Sequence, residues 1–402
     1  MKIETITRFR DRISRNLYEN IIPFWMTHAV DHQNGGFYGR ITNDLHIDAN
    51  APRGLILTGR ILWTFSALYR FSPREEYLKM AHRAYHYLID KFIDREYGGA
   101  YWMIDPQGKA VEDRKKIYGQ AFVIYALSEY YTICSDKFVL EEAFNIFHLI
   151  EKFCHDSINI GYFEAANRDW SLSDNMQLSI VDMNEKKSMN SHLHLLEAFA
   201  NLLRISNDGL VRNRLREIIK CHLEFIFNPA IDHLSLFFDE FWNRKSDVIS
   251  FGHDVEASWL LCEAGEVIGE QEILLKVQQT ALKLVAAVVA EGFTAQNALY
   301  TEKVETGQLH SASFDWWPQA EAVVGLLNAY EIGGDEKYFK KALGVWDFIE
   351  KYFVDYQYGE WFYEVSESGI PNPNRFKVSE WKCPYHNVRT CLEVLKRTEK
   401  II

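Results

Sequence analysis

Hydrophobic residues recur at spacings of three and four in twelve long segments, the periodicity of helices with one or more buried faces. The segments run roughly over 6–27, 55–71, 75–93, 116–133, 138–154, 188–204, 211–226, 252–268, 271–290, 313–331, 336–352 and 385–398. Leu193, Leu196, Ala200 and Leu203 illustrate the pattern. The connections alternate in length. Six short links join the helices in pairs, and the other links are long. Several long links carry a glycine-aromatic turn: Gly35-Gly36-Phe37-Tyr38, Gly98-Gly99-Ala100-Tyr101-Trp102, Gly161-Tyr162-Phe163 and Gly359-Glu360-Trp361-Phe362. Such a turn predicts a short hairpin with aromatics packed over a helix end.

Gly36, Gly99 and Gly161 lie 63 and 62 residues apart, so the chain repeats about every 60 residues with two helices per unit. The helices that start near 55, 116, 188, 252, 313 and 385 each follow a long link. Those that start near 6, 75, 138, 211, 271 and 336 each precede one. This parity predicts an all-α fold, an (α/α)6 barrel of six inner and six outer helices with short β-hairpins in the long loops. An open helical solenoid is the alternative, but it tolerates any repeat number, whereas six units end just before the terminus. No linker rich in Pro, Gly or Ser interrupts the 402 residues, which are expected to form a single domain, 1–402.

Charge and composition narrow the function. The formal net charge is −12, and the small cluster Arg114-Lys115-Lys116 sits among acidic residues, which argues against a nucleic-acid partner. No stretch of about 18 uncharged apolar residues suggests a membrane span. The start, Met1-Lys2-Ile3-Glu4-Thr5, lacks the apolar run of a signal peptide, and the six cysteines form no CxxC pair. Free thiols and a cytoplasmic location are expected. Most of the 11 Trp, 21 Tyr and 26 Phe are expected in the core, and a fraction suits a pocket for a ligand with apolar faces and hydroxyl edges.

Polar residues gather near the starts of the predicted inner helices: Arg60, Tyr118, Asn190, His194, His253, Glu256, Trp259, Trp317, Glu321, Trp381 and His386. Asn190/His194, His253/Glu256 and Trp317/Glu321 are three or four apart, so each pair shares a helix face. One histidine in a helix is ordinarily a hydrogen-bonded core residue. Six inner helices, or their approaches, carrying such residues at one phase predict a common cavity instead. His192-Leu193-His194 on a helix sends its rings to different faces, so one is expected to face the cavity. Metal binding by His194, His253 and His386 is conceivable from ring geometry, but an acid–base role needs free imidazole nitrogens, and no metal is expected. GxGxxG and GxxxxGK[ST] are absent, so no nucleotide cofactor is expected, and the absence of GxSxG leaves a serine hydrolase of that type unsupported. Two chemistries stay open: Glu256 and Glu321 as a glycosidase pair, or two histidines moving a proton at a carbon next to a carbonyl, with Arg60 or Tyr118 stabilising the enediolate oxygen.

The order of the landmarks resembles the N-acylglucosamine 2-epimerase superfamily, and within it the cellobiose 2-epimerases. They are Asn34-Gly35-Gly36-Phe37-Tyr38-Gly39, Arg60-Ile61-Leu62-Trp63, Glu96-Tyr97-Gly98-Gly99 with Tyr101-Trp102, and Met189-Asn190 with His194-Leu195-Leu196-Glu197-Ala198. Further on come Gly252-His253-Asp254-Val255-Glu256-Ala257, Trp316-Trp317 with Gln319-Ala320-Glu321-Ala322, and Trp381-Lys382-Cys383-Pro384-Tyr385-His386-Asn387. The resemblance implies an (α/α)6 barrel and epimerisation at C2 of the reducing-end sugar of β-1,4 disaccharides such as cellobiose and lactose. It implies ring opening and a cis-enediolate, with His253 and His386 as the proton-transfer pair and His386 assisting ring opening. His194 matches a third essential histidine and Arg60 the holder of the open-chain oxygen. Tyr118, Asn190, Glu256 and Glu321 match polar cavity residues, Trp317 and Trp381 sugar-stacking platforms, and Trp259 a supporting wall. Relatives differ in taking monosaccharides, N-acylhexosamines or disaccharides, and some isomerise aldose to ketose. The resemblance implies a carbohydrate partner, no cofactor and a monomer or weak homo-oligomer.

Overall fold

The structure, a computed structural model, describes residues 3–309 and 313–401. Six helices are buried nearly all round: α3 (Leu55–Phe71), α5 (Ile117–Cys134), α7 (Met189–Ser206), α9 (Phe251–Ile268), α11 (Trp316–Gly333) and α13 (Tyr385–Glu399). In α5 every residue from Ile117 to Tyr130 is buried, so this helix belongs to an interior layer. The outer layer holds α1 (Ile3–Arg15), continued by a wide turn over Asn16–Ile21 into α2 (Ile22–Thr27), then α4 (Glu75–Tyr87), α6 (Lys137–Phe153), α8 (Gly209–Cys221), α10 (Gln271–Glu291) and α12 (Glu336–Phe348). Outer helices bury one stripe. In α10 it is Val277, Thr280, Ala281, Leu284, Val285 and Val288, packed on α9. Among the described residues, α10 is long and apolar enough to cross a membrane by length and composition. The sequence reading missed it because Lys276 and Lys283 interrupt the apolar run; its buried stripe suits an outer barrel helix.

The ring closes: α13 packs on both α11 and α3. Of the six short links expected, five are covalent, because the sixth pair is made by the two ends of the chain. There Arg10 Nη1 donates to Thr398 Oγ1 of α13 at 2.9 Å; α1 also meets the neighbouring outer segment, where Arg12 Nε donates to Glu350 Oε2 at 3.0 Å and Phe9 packs edge-on to Phe339 of α12. Four covalent links are two-residue turns with a left-handed first residue, Ser135, Asn207, Gly269 or Gly334. In three of them the next residue, Asp136, Asp208 or Asp335, caps the outer helix.

Each outer helix runs into the expected hairpin. The pairings are Val30–Phe37, Ile93–Ala100, His155–Tyr162, Phe227–Leu234, Phe293–Leu299 and Val354–Trp361. The fourth residue of four inner helices grips the second strand of the preceding hairpin. Gln120 pairs with both backbone groups of Ala100 and Gln319 with both of Leu299, while Leu234 N–H donates to Asp254 and Tyr162 N–H to His192 Nε2. His192 is therefore a hairpin clamp facing away from the cavity, as the HxH spacing required. Successive long links pair with one another around the rim, from Arg53–Ile104 through Lys115–Ala166, Lys187–Phe238, Val248–Val304 and Phe314–Val365, and Ile41–Val378 completes the circuit.

Candidate active site

Where the inner helices begin, a cavity of about 150 Å³ is lined by Arg60, Tyr118, Asn190, His194, His253, Glu256, Trp316, Trp317, Tyr363, Trp381 and His386. Each inner helix supplies at least one of these. The clamps fix the starts of four of these helices against their hairpins, and the paired links around the rim join all six. Nine of the residues singled out in the sequence meet here. The other two, Trp259 and Glu321, stand one layer back: Trp259 Nε1 donates to Glu321 Oε2 at 3.0 Å, so Trp259 supports Glu321 and does not line the cavity. Trp316 and Tyr363 line it unforeseen. Trp316 stood beside Trp317 in the sequence, but only one of two neighbours was expected to face inward. Tyr363 comes from a long link, where helical phase gives no guidance.

Three imidazoles share one arrangement. His194 Nδ1 lies 3.1 Å from Glu197 Oε2, His386 Nδ1 lies 2.7 Å from Glu321 Oε1, and His253 Nδ1 lies 2.7 Å from Ser250 Oγ. Glu321, held down against burial by Arg389 and His386, only accepts, so Nδ1 carries the hydrogen in His386 and Nε2 is left with a lone pair; burial pushes the Glu197 carboxyl up, but its ion pair with Arg389 opposes that and suits it to the same role behind His194. Burial pushes His253 and His386 down to about 3 and His194 well below its ordinary value. All three are neutral at neutral pH, the form that takes a proton. Arg60 Nη2 donates to Tyr118 Oη at 2.9 Å, and its guanidinium lies 4.4 Å from the Phe122 ring centre. Burial opposes its charge, but the groups around it, Tyr118 first, more than offset that. The Asn190 amide oxygen and Arg60 Nε are buried with no protein partner, which suits a polyhydroxylated ligand.

Behind this layer lies Arg389, which sequence reasoning passed over. Its Nη2 donates to Glu256 Oε1 at 2.6 Å and to Glu321 Oε1 at 2.7 Å, and its Nη1 meets Glu197 and the Tyr385 hydroxyl. A signal was present: Arg389 stands one turn after His386, within the run from Tyr385 to Leu392 that is buried throughout. Burial and the charge of Glu321 push the Glu256 carboxyl up. Burial acts on Glu321 too, but Arg389 and His386 hold it down. Among the described residues, Glu256, Glu321 and His386 form the one group whose ligand atoms lie within 4.8 Å of one another. The Arg389 guanidinium already bridges its two carboxylates, and the three histidines form no such group. The same bridge removes the glycosidase arrangement, since the two carboxylates sit side by side on one nitrogen and Glu321 is off the cavity, not across a scissile bond.

Comparison with known proteins agrees with this architecture. The family model for N-acylglucosamine 2-epimerase (GlcNAc 2-epimerase) matches residues 36–389. A cellobiose 2-epimerase of Bacteroides fragilis is 41% identical over 387 residues, covering 96% of this chain and 98% of that protein. One of Dictyoglomus turgidum is 39% identical over 389 residues, with coverage of 96% and 98%. The solved cellobiose 2-epimerase of Bacillus thermoamylovorans superposes with a TM-score of 0.92 at 37% identity, over 97% of this chain and 100% of that one. With a closed (α/α)6 ring, three neutral histidines about one cavity and these matches, the chain belongs to the N-acylglucosamine 2-epimerase family.

Proposed function

We infer that the protein is a sugar 2-epimerase that acts on the reducing end of a β-1,4 disaccharide, turning cellobiose into glucosyl-mannose and lactose into epilactose. The observation that carries this reading is the set of imidazoles around one cavity, each with Nδ1 tied from behind, beside the Arg60–Tyr118 pair. The relatives at 41% and 39% identity bear the name of that activity.

The chemistry follows from these groups. The pyranose opens as the C1–O5 bond breaks, with His386 assisting the proton's passage from O1, which becomes the carbonyl oxygen, to O5, which becomes a hydroxyl. One of His253 and His386 removes the C2 proton at Nε2. The C–H electron pair moves into C1–C2, and the carbonyl π pair settles on O1. Arg60 offsets that negative charge, since it keeps its own charge while buried. The cis-enediolate turns about C2–C3, and the other histidine, charged at Nε2 by a proton taken from solvent, delivers it to the opposite face of C2, while the first histidine returns the C2 proton to solvent. His194 holds O1 or relays its proton. Trp317 and Trp381 give apolar surfaces for sugar faces, and a side pocket of about 70 Å³ that shares Asn190 and His253 extends the space. No cofactor or metal enters this scheme. The protein is proposed to work as a single domain of 402 residues, in the cytoplasm, as a monomer or weak homo-oligomer.

The deciding experiment is incubation with cellobiose in D2O followed by NMR. Glucosyl-mannose with deuterium at C2 is the expected product. Release of free glucose would indicate a hydrolase, and unchanged sugar would remove the enzyme reading.

A further inference from the structure

Two neighbouring inner helices open with a serine at the same capping position and use it differently. Ser188 caps α7 in the usual way, its hydroxyl accepting the backbone N–H of Ser191, three residues on, at 3.1 Å. Ser250 holds the same place before α9, yet its side chain makes no capping bond. Its Oγ lies 2.7 Å from Nδ1 of His253, again three residues on. Ser250 is 1% exposed, so its hydroxyl lies behind the ring, while His253 itself faces the cavity. A hydroxyl that forgoes a stabilising helix cap for an imidazole marks a functional contact.

We propose that Ser250 is a positioning residue for proton transfer: its hydroxyl accepts Nδ1–H of His253, orients the ring and keeps Nε2 unprotonated for the substrate. A serine hydroxyl can donate or accept. If it donated to Nδ1, the neutral ring would carry its hydrogen on Nε2 and have no lone pair there to receive one. Accepting is the role the carboxylates of Glu197 and Glu321 play behind the other two rings. Ser250 plays it without a charge, so it orients His253 but does little to stabilise the imidazolium. The proton that His253 takes is thus held loosely and passes on. The charged and titratable groups bearing on the ring are His194 of α7, Glu321 of α11 and Arg60 of α3. Glu302, opposite Ser250 across a strand pair, lines the side pocket with His253. The proposal rests on His253 being one of the two proton carriers.

The test uses protein with ¹⁵N-labelled histidine and reads the ring-nitrogen shifts of His253 by NMR, assigned by the resonance that His253→Asn removes. In the wild type Nδ1 should carry the hydrogen and Nε2 the lone pair. Ser250→Ala should shift part of the population to the Nε2–H form and lower kcat about tenfold, with KM within about twofold, the scale of one hydrogen bond. Ser250→Thr, which keeps the hydroxyl, should restore both. A wild-type ring with hydrogen on Nε2 overturns the proposal with no variant needed, and so does an unchanged kcat in folded Ser250→Ala. Full turnover by His253→Asn would instead sink the assignment of His253 as a proton carrier, and the spectrum would then decide the Ser250 contact by itself.

Discussion

His386 and His253 reach one cavity from unlike walls. Behind His386 stands a charged layer: Glu321 at 2.7 Å, then Arg389 bridging Glu321 to Glu256. Behind His253 stand a serine hydroxyl at 2.7 Å and, beside the ring, Trp317 with its ring centre 4.7 Å away. Both rings are pushed down to about 3, burial being the first cause of each. Only at His386 does a hydrogen-bonded carboxylate work against that shift. The difference suits a reversible reaction in which a proton leaves one face of a carbon and returns to the other. The wall of His386 tolerates a positive ring, which fits the ring-opening duty proposed for it, while the wall of His253 favours its neutral form.

The largest effects should come from removing either ring. His386→Asn and His253→Asn are each expected to lower turnover at least about 10²-fold, the lower end of a general acid–base contribution, with circular dichroism unchanged. Deuterium exchange at C2, started from each epimer, sharpens the contrast. His253→Asn should exchange from one epimer only, because His386 still opens the ring. His386→Asn should lose exchange from both. Near-wild-type epimerisation by either variant would end the two-histidine scheme and turn attention to His194.

Next in size is Glu321→Gln, expected to lower kcat about tenfold to thirtyfold while KM changes little. It keeps the shape but removes the charge that stabilises a positive His386 ring, and it offers an amide that can donate where only acceptance is wanted. A kcat within twofold of wild type would show the two walls to be equivalent. Trp381→Ala comes below that. Trp381 is half-buried at the mouth, 5.8 Å from Trp102 and 5.9 Å from Tyr118, ring centre to ring centre. Losing that apolar face should cost about 1.4 kcal/mol on a disaccharide, or about tenfold in kcat/KM. Equal losses on cellobiose and on mannose would place Trp381 against the first sugar and not the second.

The outer helices were legible because burying one stripe leaves a periodic mark, as at Val277 to Val288, and the inner ones because a wholly buried helix leaves a long apolar run, as at Ile117 to Tyr130. The cavity residues were legible because they share one phase near the helix starts. What holds those starts level was not legible. Arg53 pairs with Asp31 at 2.8 Å, Lys115 with Asp94 at 2.9 Å and Lys187 with Asp156 at 2.8 Å, and Lys377 pairs with Asp355. Each joins a buried cation near the rim to the carboxylate that turns a hairpin, and the partners lie 21 to 31 residues apart in sequence. Lys115 and Lys116 looked like part of a surface basic cluster, yet both are buried. The two remaining hairpins use neutral Asn228 and Thr294 at the turn, and the positions matching the cation are Ile249 and Phe314, both buried. Charge and partner vanish together, because one without the other would be an unpaired ion in the core. Ser250 was hidden for a different reason: a serine before a helix predicts a backbone cap, and only geometry shows that this one serves a ring.

The smallest activity change, and the finest test of the charged wall, is expected from Glu256→Gln. Burial and the neighbouring charge of Glu321 raise the Glu256 carboxyl above its ordinary 4.5, so at neutral pH it holds a proton and resembles a glutamine in charge and shape. Turnover at pH 7 should therefore fall less than about threefold, against the tens expected for Glu321→Gln, although both residues bind the same guanidinium nitrogen. Stability gives an independent reading. Between 4.5 and the raised value, the folded protein keeps a proton that the unfolded chain has released, so this group's stabilisation, complete below 4.5, is lost as pH rises through that window, at about 1.4 kcal/mol per pH unit. Glutamine cannot titrate and removes that slope. The difference in unfolding free energy, variant minus wild type, should thus move in the variant's favour from pH 5 to pH 7 in denaturant titrations. The buried histidines have the opposite sign, since their lowered values cost stability as pH falls from 6.5, and this contribution is common to both proteins and cancels. A difference that stays flat with pH, or a hundredfold loss of turnover in Glu256→Gln, would mean that Glu256 is ionised in the folded protein and that the wall behind His386 carries two negative charges instead of one.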